Sequence, residues 1–97
     1  MQVVYLRASI ADLIWLRTYY SRIFPEGDKR AREQFRAVER LVAEHPDIGK
    51  ALEFPGVREF VIPKTPFSII YRVAARRIEV LRVWDNRSDR NALEPDG

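Results

Sequence analysis

Arginine is the residue type in this sequence that is best suited to binding chemistry. The chain carries 14 arginines against 3 lysines, and its formal net charge is +3. A guanidinium group forms bidentate pairs with carboxylates and phosphates and stacks on flat surfaces, which a lysine ammonium does not do. The bias therefore favours a surface that meets nucleic acid or an acidic protein. A coding bias toward arginine is the alternative explanation of the excess.

Four arginines in the last third of the chain lie within or beside short apolar segments. They are Arg58, Arg72, Arg82 and Arg87. As binding residues they would contact the phosphates of DNA or RNA, or a protein target. In the alternative interpretation they pair with acidic residues across neighbouring strands, and the acidic partners would be Glu59, Glu79 and Asp85.

The other ionisable residues offer little for catalysis or metal binding. His45 is the only histidine, and its place before Pro46 suits a helix C-terminus, where it would interact with the helix dipole. Asp85 and Asp89 flank Arg87, and an aspartate beside an arginine should have a lowered pKa, which suits a salt bridge better than a general base. The chain has no cysteine, so thiolate metal sites are excluded. We therefore assign no catalytic residue, no metal site and no cofactor.

Length and composition predict a single domain over residues 1–97. A chain of 97 residues has room for one core. We find neither a signal pattern at the N-terminus nor an apolar run of about 20 residues, so we expect a cytoplasmic protein without a membrane segment. Residues 88–97 are polar and end in Pro-Asp-Gly, which predicts a mobile tail.

The apolar pattern predicts an α+β fold in the order β-α-α-β-β-β. Residues 2–6 are rich in β-forming side chains and indicate a first strand. A helix should begin at Ser9, where Asp12 would complete a capping box, and should end at the Pro-Glu-Gly segment. A second helix, capped by Asp28, should end near His45. The short connection makes the two helices an antiparallel hairpin.

Three strands follow, at about residues 57–62, 67–73 and 77–84, and their short connections make them antiparallel. Alternation in the middle strand places four residues on the face toward the helices: Phe67, Ile69, Tyr71 and Val73. The last strand has no clean polar face and should be central. We therefore expect the helical hairpin to pack on a small, mainly antiparallel four-stranded sheet, whose exposed side carries arginines from the set Arg58, Arg72 and Arg82.

This order of elements, together with several short motifs, resembles the RelE/ParE superfamily of toxins from type II toxin–antitoxin systems. The resemblance covers nearly the whole chain. Each motif alone is weak, and their order and spacing make the resemblance specific. The motifs are Asp12-Leu13, His45-Pro46-Asp47-Ile48-Gly49, Val57-Arg58-Glu59, the strand 67–73, and the segment 78–84 followed by Arg87.

Two activities are known in this superfamily. RelE-like members cut messenger RNA on the ribosome, and ParE-like members poison DNA gyrase. At the positions that serve the ribonucleases, Ser68 replaces an arginine, Phe60 falls near a lysine and Asp85 replaces a histidine, while the C-terminal tyrosine has no counterpart. Only Arg58 and Arg87 match. The chain thus resembles the ParE-like branch, which implies a toxin that inhibits gyrase and replication with no chemistry of its own.

The resemblance also implies two binding surfaces. The target, DNA gyrase, would contact Arg58, Arg72, Arg82, Trp84 and Arg87. Toxins of this superfamily are held by a cognate antitoxin whose C-terminal segment folds along the helical hairpin and sheet. The aromatic cluster Trp15, Tyr19 and Tyr20 is therefore the candidate antitoxin surface, with core packing as the alternative.

We expect an antitoxin with a ribbon-helix-helix domain. Two other hypotheses stay open. One is a ribosome-dependent endoribonuclease that acts on messenger RNA with the same arginines. The other is a degenerate toxin that only binds its antitoxin.

Overall fold

In the computed structural model, which describes residues 1–94, a helical hairpin packs on one face of a five-stranded mixed sheet. The strands are β1 (Gln2–Tyr5), β2 (Lys50–Ala51), β3 (Val57–Val61), β4 (Phe67–Ala74) and β5 (Arg77–Asp85). Helix α1 covers Ile10–Thr18 and continues as a π-helical turn over Tyr19–Ile23, and α2 covers Asp28–Glu44. Single 3-10 turns lie at Arg7–Ser9, Pro25–Gly27 and Arg90–Ala92. None of the helices in the described part of the chain has the length and apolar character needed to cross a membrane.

The strand order is β1-β5-β4-β3-β2, with β1 parallel to β5 and all other neighbours antiparallel. The predicted fold class and the central place of β5 are confirmed. The predicted number of four strands is wrong, because β2 adds a fifth at the edge by pairing Lys50 with Glu59 and Ala51 with Arg58. A strand of two residues is too short to show an alternating pattern, so no periodicity in the sequence could reveal it.

Two hydrophobic clusters lie on opposite faces of the sheet. The cluster under the helices joins α2 residues Val38 and Val42 to Phe67, Ile69 and Tyr71 of β4. The prediction for the inner face of β4 is confirmed at these three positions. It is wrong for Val73, which is 46% exposed near the hairpin that leads into β5.

The second cluster covers the face that the sequence predicted to be exposed. Its buried members are Val57, Ile70, Leu81, Trp84 and Leu93. Side chains from the chain segments that cross this face pack against them, namely Leu6, Leu52 and Phe54. The sheet is therefore covered on both sides, and the expectation of an open arginine face is wrong. Isolated apolar residues in loops carry no periodic signal that could have predicted this cover.

A register shift in the β4–β5 pair helps to place side chains on this second face. Ile70 is opposite Arg82 and Tyr71 is opposite Val80, so Leu81 is an extra residue on β5. A bulge of this kind bends a strand and changes the direction of neighbouring side chains. Because of it, Leu81 and Trp84 both join the second cluster although they are three residues apart, while Val80 and Val83 both lie in the cluster under the helices.

The segment after β5 returns to the sheet through the turn Arg90–Ala92. Leu93 is only 7% exposed, and the Arg90 guanidinium forms an ion pair with Glu59 of β3. The mobility expected for residues 88–97 stays a prediction, and residues 95–97 lie outside the described residues.

The first helix begins after Ser9 as predicted, but neither predicted side-chain cap forms. The Ser9 hydroxyl donates a hydrogen bond of 2.7 Å to the carbonyl of Leu6 and does not cap α1. Asp28 is the first residue of α2 and pairs with Arg32 at 3.0 Å, one turn later. The predicted end of α2 before His45 is confirmed.

Candidate functional site

Arg82 is held by a carboxylate of α1. Its Nε donates to Asp12 Oδ2 at 2.7 Å and its Nη2 donates to Asp12 Oδ1 at 2.9 Å. The two side chains are 19% and 13% exposed, and the hydrogen bond to Asp12 raises the pKa of Arg82. Arg82 therefore fastens α1 to β5, and its charge is largely neutralised.

Arg72 of β4 and Arg77 of β5 converge on one carboxylate of β5, that of Glu79. Arg72 Nε lies 2.9 Å from Glu79 Oε1, and Arg77 Nη2 lies 2.7 Å from Glu79 Oε2. Hydrogen bonds from Arg77 and then Arg72 hold the pKa of Glu79 below its usual value. The geometry of Arg72 therefore matches the alternative interpretation, in which this arginine pairs with an acidic residue of the neighbouring strand.

Arg58 binds backbone carbonyls of the loop after α2. Its Nη1 donates to the carbonyl of Gly49 at 2.8 Å and to that of Asp47 at 3.2 Å. Tyr71, which is opposite Arg58 in the sheet, donates its hydroxyl to Pro46 O at 2.7 Å and accepts the Gly49 N–H at 2.9 Å. Arg58 thus lies on the helix side of the sheet and holds this loop in place. Arg58 therefore does not follow the alternative of an acidic partner, and Glu59 instead forms an ion pair with Arg90.

A cluster of four side chains joins the end of β5 to α1, and we call it the Asp85 cluster: Trp15, Tyr19, Asp85 and Arg87. Arg87 Nη2 donates to Asp85 Oδ2 at 2.8 Å, and Trp15 Nε1 donates to the same oxygen at 2.9 Å. The Arg87 guanidinium lies 4.4 Å from the centre of the Tyr19 ring. The hydrogen bond from Arg87 lowers the pKa of Asp85 to about 2, as the sequence predicted in direction. The Arg87 side chain remains 50% exposed.

Trp84 is a core residue. It is 5% exposed and packs in the second cluster with Ile70, Leu81 and Leu93. The Arg82 guanidinium lies 5.1 Å from the centre of its ring. Removal of the indole would leave a large cavity, so a Trp84→Ala variant would lose stability and would not report on a target contact alone.

The five residues predicted to bind the target do not form one surface. Arg72 and Arg82 share the covered face with Trp84, because Arg72 faces Glu79 and Arg82 faces Ile70 across the strands. Arg58 and Arg87 lie on the helix side. Of the five, Arg87 combines the greatest exposure with contact to a second element, α1.

The three residues predicted to bind the antitoxin also lie in different environments. Trp15 is 39% exposed and Tyr19 is half-buried, and both belong to the Asp85 cluster. Tyr20 is 4% exposed and packs against Phe67 in the core, which is the alternative that the sequence left open.

Sequence reasoning missed an apolar groove between α1 and α2, with a volume of about 370 Å³. Its apolar lining includes Leu13, Leu16, Tyr20, Ala31, Phe35 and Phe67, and charged side chains at its border include Arg17, Arg32, Arg36, Asp28 and Glu39. The apolar residues of α1 extend beyond one face of the helix, which was the available signal. The groove could accept an extended or helical peptide with apolar side chains.

Comparison with known proteins identifies the family. The chain matches the family model described as "ParE toxin of type II toxin-antitoxin system, parDE" over residues 3–90. This chain belongs to the ParE toxin family. It is similar to a solved chain from the chromosomal ParDE TA system of P. aeruginosa, with a TM-score of 0.67 and 28% identity over 86% of this chain and 92% of that chain. A search of the curated proteins found no match.

As a member of the ParE family, the chain is a toxin of a type II toxin–antitoxin system, and the family implies an antitoxin partner. The resemblance to the ParE-like branch is confirmed. Several motif residues that carried this resemblance have structural partners: Asp12 holds Arg82, Gly49 contacts Tyr71, and Arg87 holds Asp85. In this ParE-family chain these motif positions therefore stabilise the fold, whatever their part in binding.

Proposed function

We propose that this toxin inhibits DNA gyrase, and thereby replication, in the cytoplasm, and that a cognate antitoxin of the ribbon-helix-helix type neutralises it. Membership of the ParE family supports this proposal over messenger RNA cleavage. The toxin would act by binding and would trap gyrase on cleaved DNA.

The observation that carries the proposal is the state of the acidic residues beside the candidate arginines. Asp85 has a pKa lowered to about 2 and the pKa of Glu79 is also lowered, in each case by hydrogen bonds from arginines. A general acid or base is most effective when its pKa lies near the working pH. These carboxylates instead remain ionised as ion-pair partners, which suits a binding protein better than a ribonuclease.

For gyrase, the Asp85 cluster is the surface best suited to contact. Arg87 is held in one orientation by Asp85 and by the Tyr19 ring, yet half of its side chain stays exposed. An arginine that is held in place loses less conformational entropy on binding than a free one. Trp15 adds an exposed aromatic ring beside it, and aromatic residues with arginine dominate the energetics of protein interfaces.

For the antitoxin, the groove between α1 and α2 is the better candidate than the aromatic cluster alone. Its apolar lining would be covered by apolar residues of a segment that folds on binding. Tyr20 contributes to the lining, whereas Trp15 and Tyr19 do not. The antitoxin surface therefore shares one residue with the sequence prediction.

A cleavage assay with purified toxin, gyrase, ATP and supercoiled plasmid tests the target. We expect cleaved plasmid to accumulate with gyrase bound and to decrease when antitoxin is added. Intact plasmid at micromolar toxin, combined with cut messenger RNA in arrested cells, would indicate that the target is the ribosome and not gyrase. Intact plasmid with no growth arrest would favour the degenerate toxin.

The Asp85 cluster is tested by Arg87→Ala in the same assay. The matched control is Arg22→Ala, since Arg22 is an exposed arginine on the turn that follows α1 and has the same charge. We expect at least a tenfold higher toxin requirement for Arg87→Ala and no change for the control. Equal potency of the two variants would exclude this cluster from the gyrase contact.

The groove is tested by titrating the antitoxin against Phe35→Ala, with Ile14→Ala as the control. Phe35 lines the groove, whereas Ile14 is 62% exposed and does not line it. Loss of a buried aromatic contact should weaken antitoxin binding by about 2 kcal/mol. If a folded Phe35→Ala protein binds the antitoxin as tightly as the wild type does, the antitoxin binds a surface other than the groove.

A further inference from the structure

Four cationic side chains form a row on the solvent-facing side of α2, and we call them the α2 row: Lys29, Arg32, Arg36 and Arg40. All four are exposed. Their spacing of three, four and four residues keeps them within about 80° around the helix axis. The opposite side of α2 is buried through Ala31, Val38 and Val42.

Only one of the four side chains of this row forms an ion pair within residues 1–94. Arg32 forms an exposed ion pair with Asp28 at 3.0 Å. Lys29, Arg36 and Arg40 have no ion pair with any of residues 1–94. In this they differ from the arginines in and after the strands, which form ion pairs with Asp12, Glu79 and Asp85.

Like charges within the row work against the stability of the helix, and Glu33 and Glu44, four residues after Lys29 and Arg40, offset part of this cost. Arg32 with Arg36, and Arg36 with Arg40, are like charges four residues apart, and each such pair costs about 0.2–0.5 kcal/mol. Lys29 and Arg32 lie near the N-terminus, the positive end of the helix dipole, while the last turn has no basic residue. A charge pattern that opposes local stability indicates a binding role.

We propose that the α2 row binds the phosphate backbone of double-stranded DNA without sequence preference. Its ends are about 16 Å apart along the helix, at a rise of about 1.5 Å per residue. One DNA strand presents a phosphate about every 3.4 Å along the duplex axis, so a row of this length can reach several phosphates of the duplex. Arginine binds phosphate in bidentate fashion.

The composition of the row favours DNA over an acidic protein. No apolar or aromatic side chain interrupts it, whereas protein interfaces depend on such anchors at their centre. The row also has no asparagine or glutamine that could read base edges. Arg32 and Arg36 border the groove between α1 and α2, but Lys29 and Arg40 lie outside its lining. These outer two residues can therefore be tested apart from antitoxin binding.

The test measures binding to a short labelled duplex by fluorescence anisotropy at a series of salt concentrations. The test variant is Lys29→Gln with Arg40→Gln. The matched control is Arg22→Gln with Arg30→Gln, which removes the same charge from exposed positions outside the row. For four phosphate contacts we expect a slope of log K against log salt of about −3.6, between about 50 and 200 mM salt.

The row variant should halve this slope to about −1.8, and the control should leave it unchanged. A second duplex of different sequence should bind equally well. Equal loss in both variants, or no binding by the unchanged protein at the lowest salt, would overturn the proposal. Tighter binding of polyglutamate than of DNA, with the same dependence on Lys29 and Arg40, would assign the row to an acidic protein.

Discussion

The Asp12 carboxylate accepts a hydrogen bond from the backbone N–H of Val83, which a neighbouring strand would otherwise accept. The parallel pairing of β1 with β5 ends at Val80, and the next free N–H on that edge, that of Val83, donates to Asp12 Oδ2 at 3.0 Å. The same carboxylate binds the Arg82 guanidinium through both oxygens. One side chain of α1 therefore completes the edge of β5 and fixes the helix on the sheet.

Asp12→Ala should lower the free energy of unfolding by about 2–3 kcal/mol, because it leaves a partly buried guanidinium and a backbone N–H without their partner. The matched control is Asp28→Ala, which breaks the exposed pair with Arg32 and should cost less than about 1 kcal/mol. Urea unfolding measures both values. Similar losses in the two variants would contradict the role given to Asp12.

Tyr71→Phe should destabilise the protein by about 2 kcal/mol. The phenol joins the sheet to the loop after α2 by donating to Pro46 O and accepting from Gly49 N–H, and its loss leaves both groups without this partner. Tyr20→Phe is the control, since Tyr20 is also buried in the core but its hydroxyl makes no hydrogen bond within residues 1–94. Thermal unfolding followed by circular dichroism should separate the two variants, and coincident curves would argue against the loop anchor.

The Asp85 cluster should make stability depend on pH in the acid range. The pKa of Asp85 is lowered from 3.8 to about 2 in the folded chain, so its contribution is present above about pH 4 and is lost as the pH falls toward 2. The wild-type protein should exceed Asp85→Asn in unfolding free energy at neutral pH by on the order of 1 kcal/mol, allowing for the exposed Arg87.

This difference should disappear near pH 2, as measured by urea unfolding across the acid range. Asp47→Asn, at an exposed position, is the control and should change stability little at any pH. A constant gap between wild type and Asp85→Asn down to the lowest pH would contradict the ion-pair origin.

The turn between β4 and β5 stores backbone strain. Ala75 and Arg76 have φ values of 52° and 60°, a left-handed conformation that costs a non-glycine residue about 1–2 kcal/mol. Asparagine followed by glycine is the pair that tolerates this conformation best in a two-residue hairpin turn. The double substitution Ala75→Asn with Arg76→Gly should therefore raise the unfolding free energy by about 1 kcal/mol, as measured by thermal unfolding.

Gly56→Ala tests the cost of left-handed backbone in the opposite direction, because it replaces a glycine in that conformation by a residue with a Cβ. Gly56 has φ +74°, and a Cβ there would meet no atom within 4 Å, so any loss comes from the backbone alone. It should destabilise by about 1 kcal/mol in the same thermal assay. A neutral Gly56→Ala protein would show that left-handed strain is relieved locally in this fold.

The sequence by itself determined the order of the elements and much of the core. Alternation over residues 67–71 identified the inner face of β4, and short connections required antiparallel pairing of β3, β4 and β5. Proline placed the end of α2 beside residue 45. These features depend on neighbours within a few residues, which is the range that hydrophobic periodicity reports.

Only the tertiary structure decided what the charged and aromatic side chains do. Asp12 meets Arg82 across 70 positions of the chain, and Leu93 covers the face where an open arginine surface was expected. Trp84 is buried for the same reason. A residue type predicts which partners a side chain can bind, but the approach of distant segments selects the partner, and no local pattern records that approach.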